Sequence, residues 1–142
     1  WEPFAYKTTK NLGDEAVLLS SSNLYELTFN LLAKKQTTAM HPKTTVKVIT
    51  ALKQAVEYIN ANEAKAQALL KARLGLDQQF IEWIWGDYRY DVALNRSLIL
   101  SLDNEARWAI SRGLTDKKVI PDYRKLMNPE PLMAVSPYSV SF

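Results

Sequence analysis

Two apolar runs lying close together constrain the fold most: "EAVLLSS" at 15–21 and "LYELTFNLLAKK" at 24–35, parted only by the turn residues "SSSN" (Ser20 to Asn23). Both read as β-type. In the second, Leu24 and Glu26 alternate with Tyr25 and Leu27, and Phe29, Leu31 and Leu32 raise the apolar content towards a buried strand. Two strands cannot make an independent sheet of any size. Most of the rest of the sequence has helical punctuation, so these runs call for partners that the remaining residues do not supply.

Pro3 suits the first turn of a helix and Gly13 suits its C-terminal stop. The chain therefore opens at the threshold of a helix, and the expectation is that sequence has been removed upstream. From Pro42, "HPKTTVKVITALKQAVEYINAN" places Ile49, Leu52, Val56 and Ile59 in one stripe. Asn62 caps "EAKAQALLKARLG", with Ala66, Leu69 and Leu70 facing inward and Gly75 as its stop. Asp77 caps "QQFIEWIWG", with Phe80, Ile81 and Ile84 facing the core, and "DYRYDVAL" is an extended link. Asn95 caps "RSLILSLDNEARWAISRG", whose Leu98, Leu102, Ala106 and Ala109 share a face and whose stop is Gly113. In the tail, Pro121, Pro129 and Pro131 separate helical pieces of four to seven residues.

Length and composition narrow the function. The 142 residues suit one domain, and 47% hydrophobic with 11% aromatic content argues for a packed chain. A formal net charge of +3, without a run of four Lys or Arg, lacks the clustered basic stripe of nucleic-acid binders. There is no cysteine, hence neither disulfide nor thiolate chemistry, and no apolar stretch is long enough to span a bilayer.

Few residues carry candidate chemistry. His41 is the single histidine, extended ahead of Pro42; it lacks a second ligand for a metal and supports no catalytic triad. Asp14 and Glu15 follow a glycine stop and read as solvated. Glu2, in the first turn of a helix, either caps the positive pole or receives a cationic group of a ligand. "SSSN" is either a plain turn or a cradle of hydroxyls and N–H groups for an anion. Trp83, Trp85, Tyr88, Tyr90 and Trp108 read as core or surface aromatics, whereas Trp1 flanks a helix N-terminus and makes an aromatic wall beside converging N–H groups.

The order of residues carries a resemblance. "WEP", then "LGDEAVLLSSSNLYELTFNLLAKK", "HPKTTVKVITALKQAVEYINANEAKAQALLKARLGLD", "DYRYDVALN", "EARWAISRGL" and "PDYRKLMNPEPLMAV" resemble the nitrate/sulfonate/taurine branch of ABC-importer substrate-binding proteins, over nearly the whole chain. The resemblance implies an α/β fold of the periplasmic-binding-protein type II, of which this chain is a helix-rich C-terminal fragment with about two strands. It implies that 1–23 end the second lobe, 24–34 cross back at the hinge and 35–142 complete the first lobe. It further implies a non-enzymatic protein without a cofactor or metal, located in the periplasm or otherwise outside the cytoplasm, a lipoprotein anchor being compatible. Its implied partners are a small solute, an ABC permease of the inner membrane and the missing N-terminal half, with no nucleic acid. Carried onto this sequence, the ligand contacts are Trp1, Glu2, Ser21, Ser22, Tyr25 and Thr28. A branch that binds thiamine-pyrimidine precursors and a ligand-sensing domain of a signalling protein are the alternatives.

Overall fold

The computed structural model of the chain describes residues 2–19 and 27–142. Most of them are helical. The α-helices are α1 (Phe4–Leu12), α2 (Lys35–Met40), α3 (Pro42–Ala61), α4 (Glu63–Leu74), α5 (Gln78–Trp85), α6 (Arg96–Ser111) and α7 (Glu130–Val135), and the strands are β1 (Leu94–Asn95) and β2 (Val140–Ser141). The chain divides into two compact units, one of residues 1–29 and 56–90, the other of residues 30–55 and 91–142.

Helix ends obey the local chemistry of the sequence more closely than helix faces do. Gly75 closes α4 in the left-handed conformation (φ 65°, ψ 26°), its N–H reaching Lys71 O. Gly113 (φ 68°) closes α6. Its N–H bonds Ile110 O while Leu114 N–H bonds Ala109 O, the paired bonds of a Schellman stop. Gly13 ends α1 with φ 55° but ψ −127°, which is positive φ without the left-handed helical turn. Asn62, Asp77 and Asn95 all stand where caps were expected, yet none uses its side chain on its own helix. Asn62 Nδ2 donates backwards to Tyr58 O, Asp77 accepts from Tyr6 Oη, and Asn95 Oδ1 accepts from Ser141 Oγ.

In the unit of residues 1–29 and 56–90, Ala66 and Ile81 form the buried centre, Ile81 being 0% exposed. In the other unit the buried residues are Leu98 and Ile99 of α6 and Leu132 of α7. There β1 pairs with β2 in parallel, Leu94 opposite Val140 and Asn95 opposite Ser141. Because the strands run the same way, the chain between them must cross back, and α6 lies on that crossover. A mainly helical chain with one parallel pair is compatible with a helix-rich α/β fragment.

Several expectations are corrected. The two β-type runs form no strand among their described residues, 15–19 and 27–35; the strands lie at Leu94–Asn95 and Val140–Ser141 instead. Alternation of side chains reports a pleat, whereas a strand also needs a neighbour to bond, and none pairs with these runs among the described residues. Ala16 N–H turns back to Gly13 O, and beyond it Val17 to Leu19 make no backbone hydrogen bond among the described residues. Lys35 opens α2 rather than ending a strand. Leu69, expected to face inward, is exposed, and so is Leu52 of the α3 stripe. Pro131 does not separate two pieces but sits in the first turn of α7, where its missing N–H costs nothing.

Candidate functional site

Of the six sequence-selected ligand contacts, Trp1, Ser21, Ser22 and Tyr25 lie outside the described residues, as does the whole of "SSSN". Glu2 and Thr28 are described, both in the unit of residues 1–29 and 56–90.

Glu2 is engaged at both carboxylate oxygens. Oε2 accepts the backbone N–H of Tyr6 at 3.1 Å, inside the first turn of α1, where an anion meets the positive end of the helix. Oε1 accepts the indole Nε1–H of Trp83 on α5 at 2.8 Å. The capping reading of Glu2 therefore describes its geometry, with the addition of a long-range bond that no local pattern announces. A ligand cation at Glu2 would have to share or displace these two donors.

Tyr6 carries the contact further along the same two helices. Its ring lies 5.2 Å from Phe80 and 5.7 Å from Trp83, the latter edge to face. Its hydroxyl donates to Asp77 Oδ2 at 3.1 Å, and Lys10 Nζ donates to Gln79 Oε1 at 3.0 Å while standing 4.0 Å from Asp77 Oδ2. The Lys10 ammonium also lies 5.6 Å above the Tyr6 ring. The arrangement is a clamp of α1 on α5 with apolar rings between a carboxylate at each end. It has the parts of a brace; of the two described members of the sequence-selected set, Glu2 belongs to it.

Thr28 is exposed and adjoins Phe29, whose ring stacks at 6.5 Å on Tyr88. Tyr88 in turn stacks on Tyr90 at 6.3 Å, and Tyr90 meets Trp85 at 5.1 Å, so four rings form a row. Asn60 Nδ2 holds the Tyr90 carbonyl at 3.0 Å. Partial burial pushes the Tyr90 phenol above its ordinary pKa, and the neighbouring Tyr88 and Glu63 charges add to the rise. The separate aromatics were visible in the sequence, but their joining needs the fold of 85–90 back towards Phe29.

His41 ends α2, its backbone N–H bonded to Thr37 O and its carbonyl accepting from Thr45. Among the described residues no group of three or more His, Cys, Asp or Glu could hold a metal ion, and no helix is long and apolar enough to cross a membrane.

In the other unit an open cleft of about 400 Å³ lies between α6 and residues 120–124. It went unnoticed in the sequence because its arginines are spread over two separate segments. Comparison of the chain with family models, with curated proteins and with solved structures finds no match.

Proposed function

We propose that this chain is the C-terminal half of a substrate-binding protein of an ABC importer, of the nitrate/sulfonate/taurine type, which captures a small anionic solute between two lobes. The observation that carries the proposal is the state of the two β-type runs. Val17 (82% exposed), Leu19 (90%), Phe29 (76%) and Leu32 (87%) stand in solvent together with Leu18 and Leu31. Covering six such side chains is worth roughly 10 kcal/mol before the costs of association. Large aliphatic side chains left uncovered on runs of β-type sequence are what a neighbouring strand or sheet face completes. In the two-lobed family that the residue order resembles, those neighbours belong to the N-terminal half.

On this reading the fold of the whole protein is of the periplasmic-binding type II. The segment 1–23 ends one lobe, 24–34 crosses the hinge and 35–142 completes the other lobe. The solute bridges the lobes and stabilises their closed state, with no bond made or broken in it. Trp1 forms an aromatic wall, Glu2 a charge at the helix end, and Ser21, Ser22, Tyr25 and Thr28 supply hydroxyls. The protein works outside the cytoplasmic membrane and hands its solute to a permease.

Thermal-shift measurement on the longer protein, with taurine, an alkanesulfonate and nitrate as probes, tests the proposal. A bound solute at 100 times its Kd stabilises by about 2.7 kcal/mol. Shifts by none of the three, or a native polypeptide no larger than the 16.2 kDa of this chain, refute it.

A further inference from the structure

The cleft between α6 and residues 120–124 lies wholly within the unit of residues 30–55 and 91–142. Arg96, Leu100, Asp103 and Arg107 line one side of it, at helical steps that put them on a single face of α6. Arg124 contributes from the opposite wall. Ile99, buried, and Tyr123, half-buried, give the cleft an apolar floor.

The three arginines are exposed, and among the described residues none of their guanidinium groups has a hydrogen bond or a carboxylate within 4.0 Å. Two carboxylates nevertheless line the same cleft. Asp122 is taken by Lys125 Nζ at 3.4 Å, and Asp103 stands one turn from Arg107 without pairing to it. Guanidinium forks recognise carboxylates in a planar, two-point geometry that an ammonium cannot copy. Three of them beside an apolar floor make a recognition surface with its polar capacity unused.

Spacing identifies the occupant. Arg96 and Arg107 are three turns apart on α6, roughly 16 Å along the axis. Anionic groups spaced along a chain meet both more readily than one small anion does. Asp103 and Asp122 in the walls oppose a continuous phosphate backbone or an anionic membrane, whereas a peptide can place its carboxylates at the arginines and other side chains elsewhere. From this geometry we infer that the cleft docks an acidic peptide segment of a partner protein, with carboxylates on Arg96, Arg107 and Arg124 and an apolar side chain on Ile99, Leu100 and Tyr123. The inference does not depend on the solute-binding proposal.

The test uses the 142-residue chain and a fluorescein-labelled twelve-residue peptide alternating Glu pairs with Leu, followed by fluorescence anisotropy at 50 and 300 mM NaCl. Binding at 50 mM should weaken about 20-fold in the Arg96→Gln/Arg107→Gln/Arg124→Gln variant, as three exposed ion pairs lost together imply. The charge-matched control Lys43→Gln/Lys47→Gln/Lys65→Gln should stay within about threefold of wild type, since its lysines lie outside the cleft. Arg107→Lys, which keeps the charge and the fold, should lose affinity by a few fold because the fork is gone. An oligo-dT of equal charge should displace the peptide less well than unlabelled peptide does. No binding at 50 mM, an equal loss in the lysine control, an unchanged arginine variant, or better displacement by oligo-dT each overturns the inference.

Discussion

If Glu2 is a brace between α1 and α5, removing it must cost stability through Trp83, and the cost can be isolated. Glu2 Oε1 meets Trp83 Nε1 at 2.8 Å and Oε2 meets the Tyr6 amide at 3.1 Å. Hydrogen bonds to a charged group contribute about 1.5–3 kcal/mol when well shielded, and both partners here are half-buried, so about 1 kcal/mol for each bond is the reasonable share. Glu2→Ala loses both bonds, about 2 kcal/mol in all. Trp83→Phe loses one bond and part of the edge contact with Tyr6, again about 2 kcal/mol. The double variant should fall short of the sum by about 1 kcal/mol, since the shared bond can be lost only once. Urea unfolding followed by far-UV circular dichroism reads all four corners of the cycle. Hydrogen exchange at the Tyr6 amide supplies an independent check, accelerating in Glu2→Ala but not in Trp83→Phe. Additivity within about 0.3 kcal/mol would refute the reasoning and return Glu2 to the role of a carboxylate held for a ligand.

Gly113→Ala should destabilise by about 1 kcal/mol, because φ 68° is strained for a residue with a Cβ although nothing lies within 4 Å of the added atom. Gly86→Ala, at φ −70° with equally open space, should be neutral or stabilise by up to about 1 kcal/mol in the same urea titration. Ile81→Ala, at the fully buried centre of its unit, should cost about 2–5 kcal/mol, read as a lowered unfolding midpoint at unchanged slope. Tyr90 holds its proton more tightly folded than unfolded, so the stability it contributes is complete below its ordinary pKa of 10.0 and is lost as pH rises through the folded value. The unfolding midpoint should therefore decline above pH 10 more steeply in wild type than in Tyr90→Phe; parallel declines would remove Tyr90 as the cause.

What the sequence disclosed was mostly local. The stops at Gly75 and Gly113 follow from a conformation that glycine alone adopts cheaply, and the start of α3 follows from Pro42. Inward faces were less legible. Leu69 and Leu52 fit the period of their helices but are exposed, because period says which residues share a face and not whether anything covers it. The strand runs failed for a related reason, since pairing belongs to a neighbour and not to the run itself. β1 and β2 escaped notice because two residues are too few to alternate. At the candidate site, the helix-end role of Glu2 was readable from its nearness to the helix start, although it stands ahead of the N-cap Pro3 and not in the first turn as expected, whereas its bond to Trp83 spans 81 positions and has no sequence signal. The arginine cleft was hidden in the same way, its members being ordinary surface residues until residues 120–124 lie against α6.

The bond from Ser141 to Asn95 joins residues 46 positions apart, and the β1–β2 pair that it accompanies sits at the root of α6. On a ribosome that adds about 5–20 residues each second, α6 emerges several seconds before its anchoring strand exists. The helix can wind at once, but its N-terminal register can be fixed only after β2 has cleared the exit.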